Sequence, residues 1–340
     1  MLYQCIFLII LFISLILIQS KYSILLDDPK GERHKINYNK NVPLSGGIYL
    51  FLSFLLSTFL TKYHNENFLI LLFIFFFLLL GIYSDIKKKF SPRIRLLFQA
   101  TLIILMIFFL DLKINKTNIF YLDIYINNTF FNLIFTSFCI LVLLNGSNFC
   151  DGINCNVIGY YLIICLAILY SGLPTPNFLT IEIIIFTYII FYIFNLFKKC
   201  FLGDNGVYVI SIFMSIYIIK FTNLNTNLSS LIALNLLWYP AFENLFSIIR
   251  RIVTKKKIEV ADRSHLHTLI FKKILKNSNI NFSNSLSGIF INIFMSIGIF
   301  ASIIFRNSSK ILMLILFINI IIYITGYLFL KTRMGKSKSQ

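Results

Sequence analysis

Acidic side chains are scarce in this sequence, which has 13 Asp and Glu against 31 Lys and Arg among its 340 residues. Cysteine is also sparse. The six cysteines show neither a metal-binding spacing nor the disulfide framework of a secreted domain, so we interpret all of them as free thiols. Residues 2–18 lack a basic leader and a small-residue cleavage site. They therefore predict a retained first membrane span and exclude a cleaved signal peptide.

Apolar residues, by contrast, are abundant: 58% of the chain is hydrophobic and the mean hydropathy is +0.83, far above a soluble average. Apolar runs of roughly 15–20 residues recur from end to end, which is too long for strands and suits bilayer crossing. The sequence predicts an all-α, polytopic transmembrane bundle forming a single domain over residues 1–340. We place about 11 spans (10–11) at 2–20, 44–61, 67–83, 96–110, 130–146, 157–172, 179–197, 207–221, 229–247, 286–305 and 311–330.

The net charge of +18 would suit a nucleic-acid partner, but its distribution along the chain argues against one. Loops on one predicted side carry 25 of the 31 Lys and Arg residues. By the positive-inside rule that side is cytoplasmic, so we expect the N-terminus outside and the C-terminus in the cytoplasm. The longest cytoplasmic loop is predicted at 248–285. The basic excess then reflects topology, attraction to anionic headgroups and attraction to an anionic substrate.

One polar stretch, 145–154, separates two apolar segments and reads Asn-Gly-Ser-Asn-Phe-Cys-Asp-Gly-Ile-Asn. Its carboxamide and carboxylate side chains recur every third residue at Asn145, Asn148, Asp151 and Asn154. Steps of three keep such side chains on adjoining positions of one helix face. Lipid does not accept a polar stripe, so it must face water, protein or a ligand. An ordinary helix-end cap followed by a glycine turn remains the alternative.

Other ionisable groups fall on the same predicted side, each after an odd-numbered span. They are Asp85, Asp204 between two glycines, and the His265/His267 pair. Read singly, each is also typical of a turn or a solvated loop, and the two histidines share a face only in extended backbone. Together, carboxylates beside basic loops favour a divalent cation that holds a diphosphate at the membrane surface. The acceptor would then be a lipid.

These motifs, in this order and spacing, resemble the polyprenyl-phosphate N-acetylhexosamine-1-phosphate transferases, a superfamily within glycosyltransferase family 4. The resemblance runs from Asp28 to Ile270. It rests on Pro43…Gly46-Gly47, Gly81…Asp85…Ser91-Pro92…Arg95…Gln99, Asn145…Asn148…Asp151-Gly152, Phe201-Leu202-Gly203-Asp204…Gly206, Pro240…Arg250-Arg251 and Asp262-Arg263…His265-Leu266-His267. It implies transfer of a sugar 1-phosphate from a UDP-N-acetylhexosamine to undecaprenyl phosphate, with release of UMP. It also implies Mg²⁺, or Mn²⁺ in its place, as the cofactor.

The resemblance further implies residue roles. Asp204 and Asp151 are the expected metal ligands, and Asp85 and Asp151 the expected catalytic residues. The family's acid at the position of Asp85 is often proposed as a base. A lipid phosphate is already mostly a dianion at pH 7, however, so we expect Asp85 to orient groups or support the metal rather than act as an obligatory base. Substrate binding is expected at Asn145, Asn148, Arg263, His265, His267 and Lys40. Ser84 departs from the family pattern, because the first of two paired Asp usually stands there. Thr268 replaces a frequent third histidine.

The expected partners are a UDP-sugar, undecaprenyl phosphate and the bilayer, without nucleic acid; a homodimer remains open. The expected location is a bacterial cytoplasmic (inner) membrane, with the site facing the cytoplasm and serving cell-wall or surface polysaccharide. Two alternatives stay open. One is a membrane transporter of lipid-linked sugars, although transporters place ionisable groups near the midplane and often repeat their halves. The other is a non-catalytic homologue, which Ser84 keeps open although the presence of Asp151, Asp204 and both histidines argues against it.

Overall fold

The computed structural model describes residues 2–27, 42–59, 64–87, 91–255, 264–275 and 280–336. These residues form fourteen helices and one short pair of strands. The helices are α1 (Leu2–Tyr22), α2 (Gly46–Phe59), α3 (His64–Ile86), α4 (Pro92–Leu110), α5 (Phe120–Ile126), α6 (Thr129–Cys150), α7 (Asn156–Ser171), α8 (Ile181–Leu196), α9 (Gly203–Leu224), α10 (Leu231–Leu236), α11 (Trp238–Val253), α12 (Leu266–Leu275), α13 (Ile280–Ile304) and α14 (Ser309–Lys336).

Seven of the described helices are long and apolar enough to cross a membrane, namely α1, α3, α4, α6, α9, α13 and α14. Helices α2, α7 and α8 are apolar but shorter. Large apolar side chains such as Phe108 and Phe317 stand exposed on the outer helices, as contact with lipid requires. The all-α, multi-pass architecture agrees with the prediction from sequence. The count of eleven spans and the orientation stay predictions.

Helix α9 is the centre of the bundle. In the most apolar stretch of α9, 78% of the residues are buried inside the protein, against 17–44% in the corresponding stretches of the other six long helices. It packs against α2, α3, α6, α7 and α10. Phe213 on α9 stacks on Phe54 of α2 with ring centroids 4.1 Å apart. Because the surrounding helices bury α9, the first turn of α9 is held in a fixed position relative to the ends of its neighbours.

The predicted ninth span, 229–247, is two helices in the structure. The break falls at Leu237, between α10 and α11. Pro240 lies in the first turn of α11, where backbone N–H groups lack helical acceptors in any case. The proline therefore starts a helix rather than bending one.

A two-residue antiparallel pair, which the sequence did not predict, precedes α2. It joins β1 (Leu26–Asp27) to β2 (Val42–Pro43). The strand β2 also meets the chain before α9, because Phe201 donates its N–H to the Pro43 carbonyl at 2.9 Å and Gly46 donates to the Phe201 carbonyl at 3.3 Å. These bonds place the start of α2 beside the start of α9.

Candidate active site

Asp85, near the end of α3, caps the start of α9. Its Oδ1 accepts the backbone N–H of Asp204 at 3.0 Å, and its Oδ2 accepts the backbone N–H of Asn205 at 3.0 Å and the side-chain Nδ2 of Asn205 at 2.6 Å. A carboxylate at a helix N-terminus satisfies otherwise unpaired N–H groups and favours the positive end of the helix dipole. Asp85 thus fixes the position of the Asp204 backbone.

Two glycines allow the helices to approach closely enough for this cap. A Cβ at Gly81 on α3 would lie 2.4 Å from the Cα of Asn205, and one at Gly47 on α2 would lie 2.5 Å from the Asn205 carbonyl oxygen. The Gly47 N–H instead donates to Asn205 Oδ1 at 2.7 Å. Both glycines are therefore needed for packing against the first turn of α9.

Asp204, the predicted metal ligand, shares one of its oxygens with two neighbours. The Ser84 hydroxyl donates to Asp204 Oδ2 at 2.5 Å, and Arg95 Nη1 lies 3.4 Å from the same oxygen. Ser84 is fully buried, while Asp204 retains 16% exposure of its side chain. The residue that departs from the family pattern therefore contacts the carboxylate directly, and Arg95 from α4 partly offsets its charge.

Asp151 follows the last residue of α6 and lies near the other carboxylates. Burial raises the pKa of Asp151 well above its ordinary value, and the negative charges of Asp204, Asp85 and Asp27 raise it further. Mutual repulsion of this kind requires that the carboxylates share one region of the molecule. Asp151 is therefore close enough to Asp85 and Asp204 for their charges to act on its pKa, while their joint action as one site stays a prediction.

Sequence reasoning missed Asp27, which joins this group from strand β1. A signal was available, since Asp27 follows the first span on the same predicted side as the other three acids. The β1–β2 pairing and the bond from the Leu44 N–H to the Leu25 carbonyl bring this segment beside the start of α2.

The loop after Asp151 is held by asparagines from other helices. Asn284 Oδ1 accepts the N–H of Asn154 at 2.7 Å, and Asn195 Oδ1 accepts the N–H of Cys155 at 2.6 Å. Asn292 donates to the Cys155 carbonyl at 2.7 Å. Asn154, the last member of the polar stripe, is buried in this network and supports the loop rather than lining a ligand site.

The remaining members of the stripe point to different neighbours. Asn145 donates to Gln99 Oε1 at 3.2 Å and to the Leu141 carbonyl at 3.0 Å. Gln99 is fully buried, and within the described residues its Nε2 has no hydrogen-bond partner. Asn148 is half-buried, and its carbonyl accepts the Asp151 N–H at 3.3 Å. Asn145 is thus tied to α4, and Asn148 to the Asp151 turn.

The predicted histidine pair meets the Asp151 loop from the other side. His265 directly precedes α12 and His267 lies in its first turn, so their rings stack with centroids 5.5 Å apart and planes 8° apart. A Cβ at Gly152 would lie 2.2 Å from His267 Nε2. The two histidines therefore share a face, and His267 packs directly against the residue after Asp151.

His267 is buried, and burial, followed by the effect of His265, lowers its pKa to about 3 against the partial opposition of Glu243. It is neutral at physiological pH. His265 Nδ1 lies 2.9 Å from Oε1 of Glu243, a buried carboxylate on α11 to which sequence reasoning assigned no role. Lys40 and Arg263, both predicted to bind substrate, lie outside the described residues, as do His34 and Asp262.

The residues fit magnesium by chemistry, since carboxylate oxygens are its preferred protein ligands. Within the described part of the chain, no three His, Cys, Asp or Glu side chains gather into a group that could hold a metal alone. Mg²⁺ commonly takes one or two carboxylates together with substrate phosphates and water, so Asp204 and Asp151 would suffice as its protein ligands.

Residues 67–222 match the model of "Glycosyl transferase family 4", a segment that contains Ser84, Asp85, Asp151 and Asp204. The chain is also 27% identical over 243 residues to the probable undecaprenyl-phosphate N-acetylglucosaminyl 1-phosphate transferase of Bacillus subtilis (strain 168). That alignment covers 68% of this chain and 66% of the relative, so the chain spans just under two thirds of the relative's length.

Proposed function

We propose that this chain, whose residues 67–222 match the model of glycosyl transferase family 4, transfers an N-acetylhexosamine 1-phosphate from a UDP-sugar to undecaprenyl phosphate and releases UMP. UDP-N-acetylglucosamine is the first donor to test, because the Bacillus relative is named for that sugar. The observation that carries the proposal is the cap that Asp85 makes on the first turn of α9, which carries Asp204, together with the packing of His267 against Gly152, the residue after Asp151.

The proposed reaction is a phosphoryl transfer. An oxygen of the lipid phosphate forms a bond to the β-phosphorus of the UDP-sugar, and the bond from that phosphorus to the bridging oxygen breaks. UMP leaves with the electron pair of the broken bond. A phosphate monoester has a second pKa of about 6, so the lipid phosphate that acts as nucleophile is already mostly a dianion at pH 7. Little is then required of a general base.

Asp85 suits an orienting role better than a basic one. Its two oxygens already accept three hydrogen bonds from the first turn of α9. By holding that turn, Asp85 keeps Asp204 directed at the site. Asp204 and Asp151 would hold Mg²⁺, which supplies charge neutralisation on the diphosphate when bound. The proposed contacts to the donor and the lipid phosphate remain Asn145, Asn148, Arg263, His265, His267 and Lys40.

We also propose that the site faces the cytoplasm of a bacterial cell membrane. The proposal rests on the distribution of Lys and Arg, since 25 of 31 fall on the predicted side that carries the acids and histidines. Nucleotide sugars and the basic loops would then share one compartment. The product would start a lipid-linked glycan for the cell wall or surface polysaccharide.

UMP release by the full chain in detergent tests the function directly. The assay contains undecaprenyl phosphate, Mg²⁺ and a panel of UDP-sugars. We expect release with one UDP-N-acetylhexosamine, loss on chelation, and a fall of about 100-fold or more in Asp204→Asn. The matched control is Asp111→Asn, because Asp111 is exposed and its φ of 45° is one that asparagine tolerates.

If a folded protein releases no UMP with any of the UDP-sugars, the non-catalytic homologue or the transporter is favoured. Ser84→Asp then separates these two, since restored release would identify a homologue that lacks only one carboxylate. Uptake of a lipid-linked sugar into the lumen of vesicles, without UMP release, would identify a transporter.

A further inference from the structure

Glu243 on α11 is a fully buried carboxylate that lies outside the acid group of the proposed site. Its Oε1 lies 2.9 Å from His265 Nδ1, and its Oε2 accepts the hydroxyl of Tyr323 on α14 at 2.5 Å. Among the described residues its ion-pair partner is a histidine rather than Lys or Arg. A carboxylate in such a place is costly unless both oxygens are satisfied, so the two bonds define its environment.

The hydrogen bonds determine which nitrogen of His265 carries a proton. An ionised carboxylate only accepts hydrogen bonds, and Tyr323 already supplies one donor. The facing His265 Nδ1 must therefore carry hydrogen, which leaves Nε2 as the atom with which this ring can act on a ligand. A partner on one ring nitrogen commonly selects the tautomer of a histidine in this way.

Aromatic contacts fix the plane of the same ring. His265 stacks on His267 with centroids 5.5 Å apart and lies 5.4 Å from the ring of Phe149 on α6. His267 in turn packs against Gly152. A chain of direct contacts thus runs from Tyr323 through Glu243 and the two histidines to the loop that follows Asp151.

The helix that carries Glu243 is itself held closely against α6. A Cβ at Gly146 would lie 1.9 Å from the Pro240 carbonyl oxygen, so α6 and the first turn of α11 approach as backbone against backbone. Trp238 and Phe242 of α11 pack edge-on against Tyr323. The carboxylate, the tyrosine and α6 therefore have little freedom to move relative to one another.

We propose that Glu243 and Tyr323 are positioning residues for His265. They hold its ring and its Nδ1–H tautomer, so that the last described helix, α14, contributes to the site although it carries none of the predicted site residues. The inference rests on the proposed function only in that His265 is taken to contact the substrate.

Nitrogen-15 NMR of histidine-labelled full chain in detergent tests the tautomer without any activity. The chain has four histidines, and His265→Asn assigns the signal of His265. We expect a protonated Nδ1 and an unprotonated Nε2 in the wild type at pH 8. In Glu243→Gln we expect a mixture of tautomers, because an amide can accept from or donate to the ring. An unchanged pattern in Glu243→Gln would overturn the proposal.

Kinetics of UMP release supply the second measurement. Carboxylates that orient metal-binding histidines are worth on the order of 10- to 100-fold in activity. By analogy with that orienting effect on a substrate-binding histidine, we expect a loss of that size in kcat for Glu243→Gln and a smaller one for Tyr323→Phe. The double variant Glu243→Gln/His265→Asn should be no slower than His265→Asn alone. Losses that multiply would contradict action through His265.

A matched control separates positioning from general damage to the fold. Asn235→Ala removes a different buried bond to α14, the one from Asn235 to the Leu312 carbonyl at 3.1 Å, and leaves Glu243 untouched. It should lower thermal stability yet keep the wild-type NMR pattern and kcat. If it alters the His265 signal as Glu243→Gln does, the effect is structural. A wild type that shows the expected tautomer but releases no UMP would refute the proposed function and leave the positioning contacts intact.

Discussion

Replacement of Gly81 by alanine tests whether close contact between α3 and α9 builds the site. The added methyl would lie 2.4 Å from the Cα of Asn205, 2.8 Å from its backbone nitrogen and 2.9 Å from the Asp204 carbonyl oxygen. All three are backbone atoms of the first turn of α9. The clash can therefore be relieved only if the two helices move apart.

The size of that movement follows from the distances. Ordinary contact begins near 3.4 Å, so the helices must separate by about 1 Å. The bonds from Asp85 to the N–H groups of Asp204 and Asn205, now 3.0 Å, would lengthen beyond hydrogen-bond range. Overpacking costs about 1–3 kcal/mol and loss of a cap about 0.5–2, against roughly 0.5–1 gained by alanine in a helix. We expect a net loss of about 2–3 kcal/mol in stability.

A displacement of about 1 Å at catalytic groups can cost on the order of 100-fold in rate, so we expect a fall of that order in UMP release. Thermal unfolding in detergent measures the stability separately. Gly326→Ala is the matched control, because within the described residues nothing lies within 4 Å of the added carbon. Activity of Gly81→Ala within about threefold of wild type, at unchanged stability, would refute the reasoning.

Three further outcomes are expected. Ser84→Ala removes the hydroxyl that donates to Asp204 at 2.5 Å. Because a hydrogen bond to a charged group is worth about 1.5–3 kcal/mol, the rate of UMP release should fall by about 10-fold or more. Unchanged kinetics would exclude a role for this bond. Gly152→Ala places a carbon 2.2 Å from His267 Nε2 and should lower both activity and thermal stability, whereas equal melting temperatures would contradict the contact. His267 has a pKa of about 3 in the folded protein against an ordinary 6.5, so the unfolded chain binds a proton first as the pH falls, and stability should decrease below pH 6.5. The melting temperature of His267→Gln should decrease less over the same pH range. An equal decrease in the variant and the wild type would refute the assignment.

The polar stripe at 145–154 shows how far sequence reasoning reached within the site. Its period of three predicted one common face, and the charges of Asp204 and Asp85 do act on the pKa of Asp151. Asn154, however, is buried among Asn284 and Ser285 of α13. A period along one helix says which residues are neighbours on its surface. It does not say which neighbouring helix covers part of that surface.

Glu243 and Asp27 show the complementary case. Neither belongs to a recognisable spacing, since the partners of Glu243 are 22 and 80 residues away in sequence. Similarly, Asp27 acts on the pKa of Asp151 from the β1–β2 pair. Such contacts depend on how distant segments pack, so local patterns of polar and apolar residues do not predict them.

The amino-acid sequence by itself determined the class of the molecule, because runs of apolar residues that can cross a bilayer have few alternatives to the helix. It also determined the candidate chemistry, since acids and histidines recur at the ends of those runs. Tertiary structure alone decided that Ser84 and Arg95 share one oxygen of Asp204, that Asp85 caps α9, and that α14 reaches His265 through Glu243. The physical reason is that hydrogen bonds between side chains depend on distances of a few tenths of an ångström, which are set by the packing of whole helices.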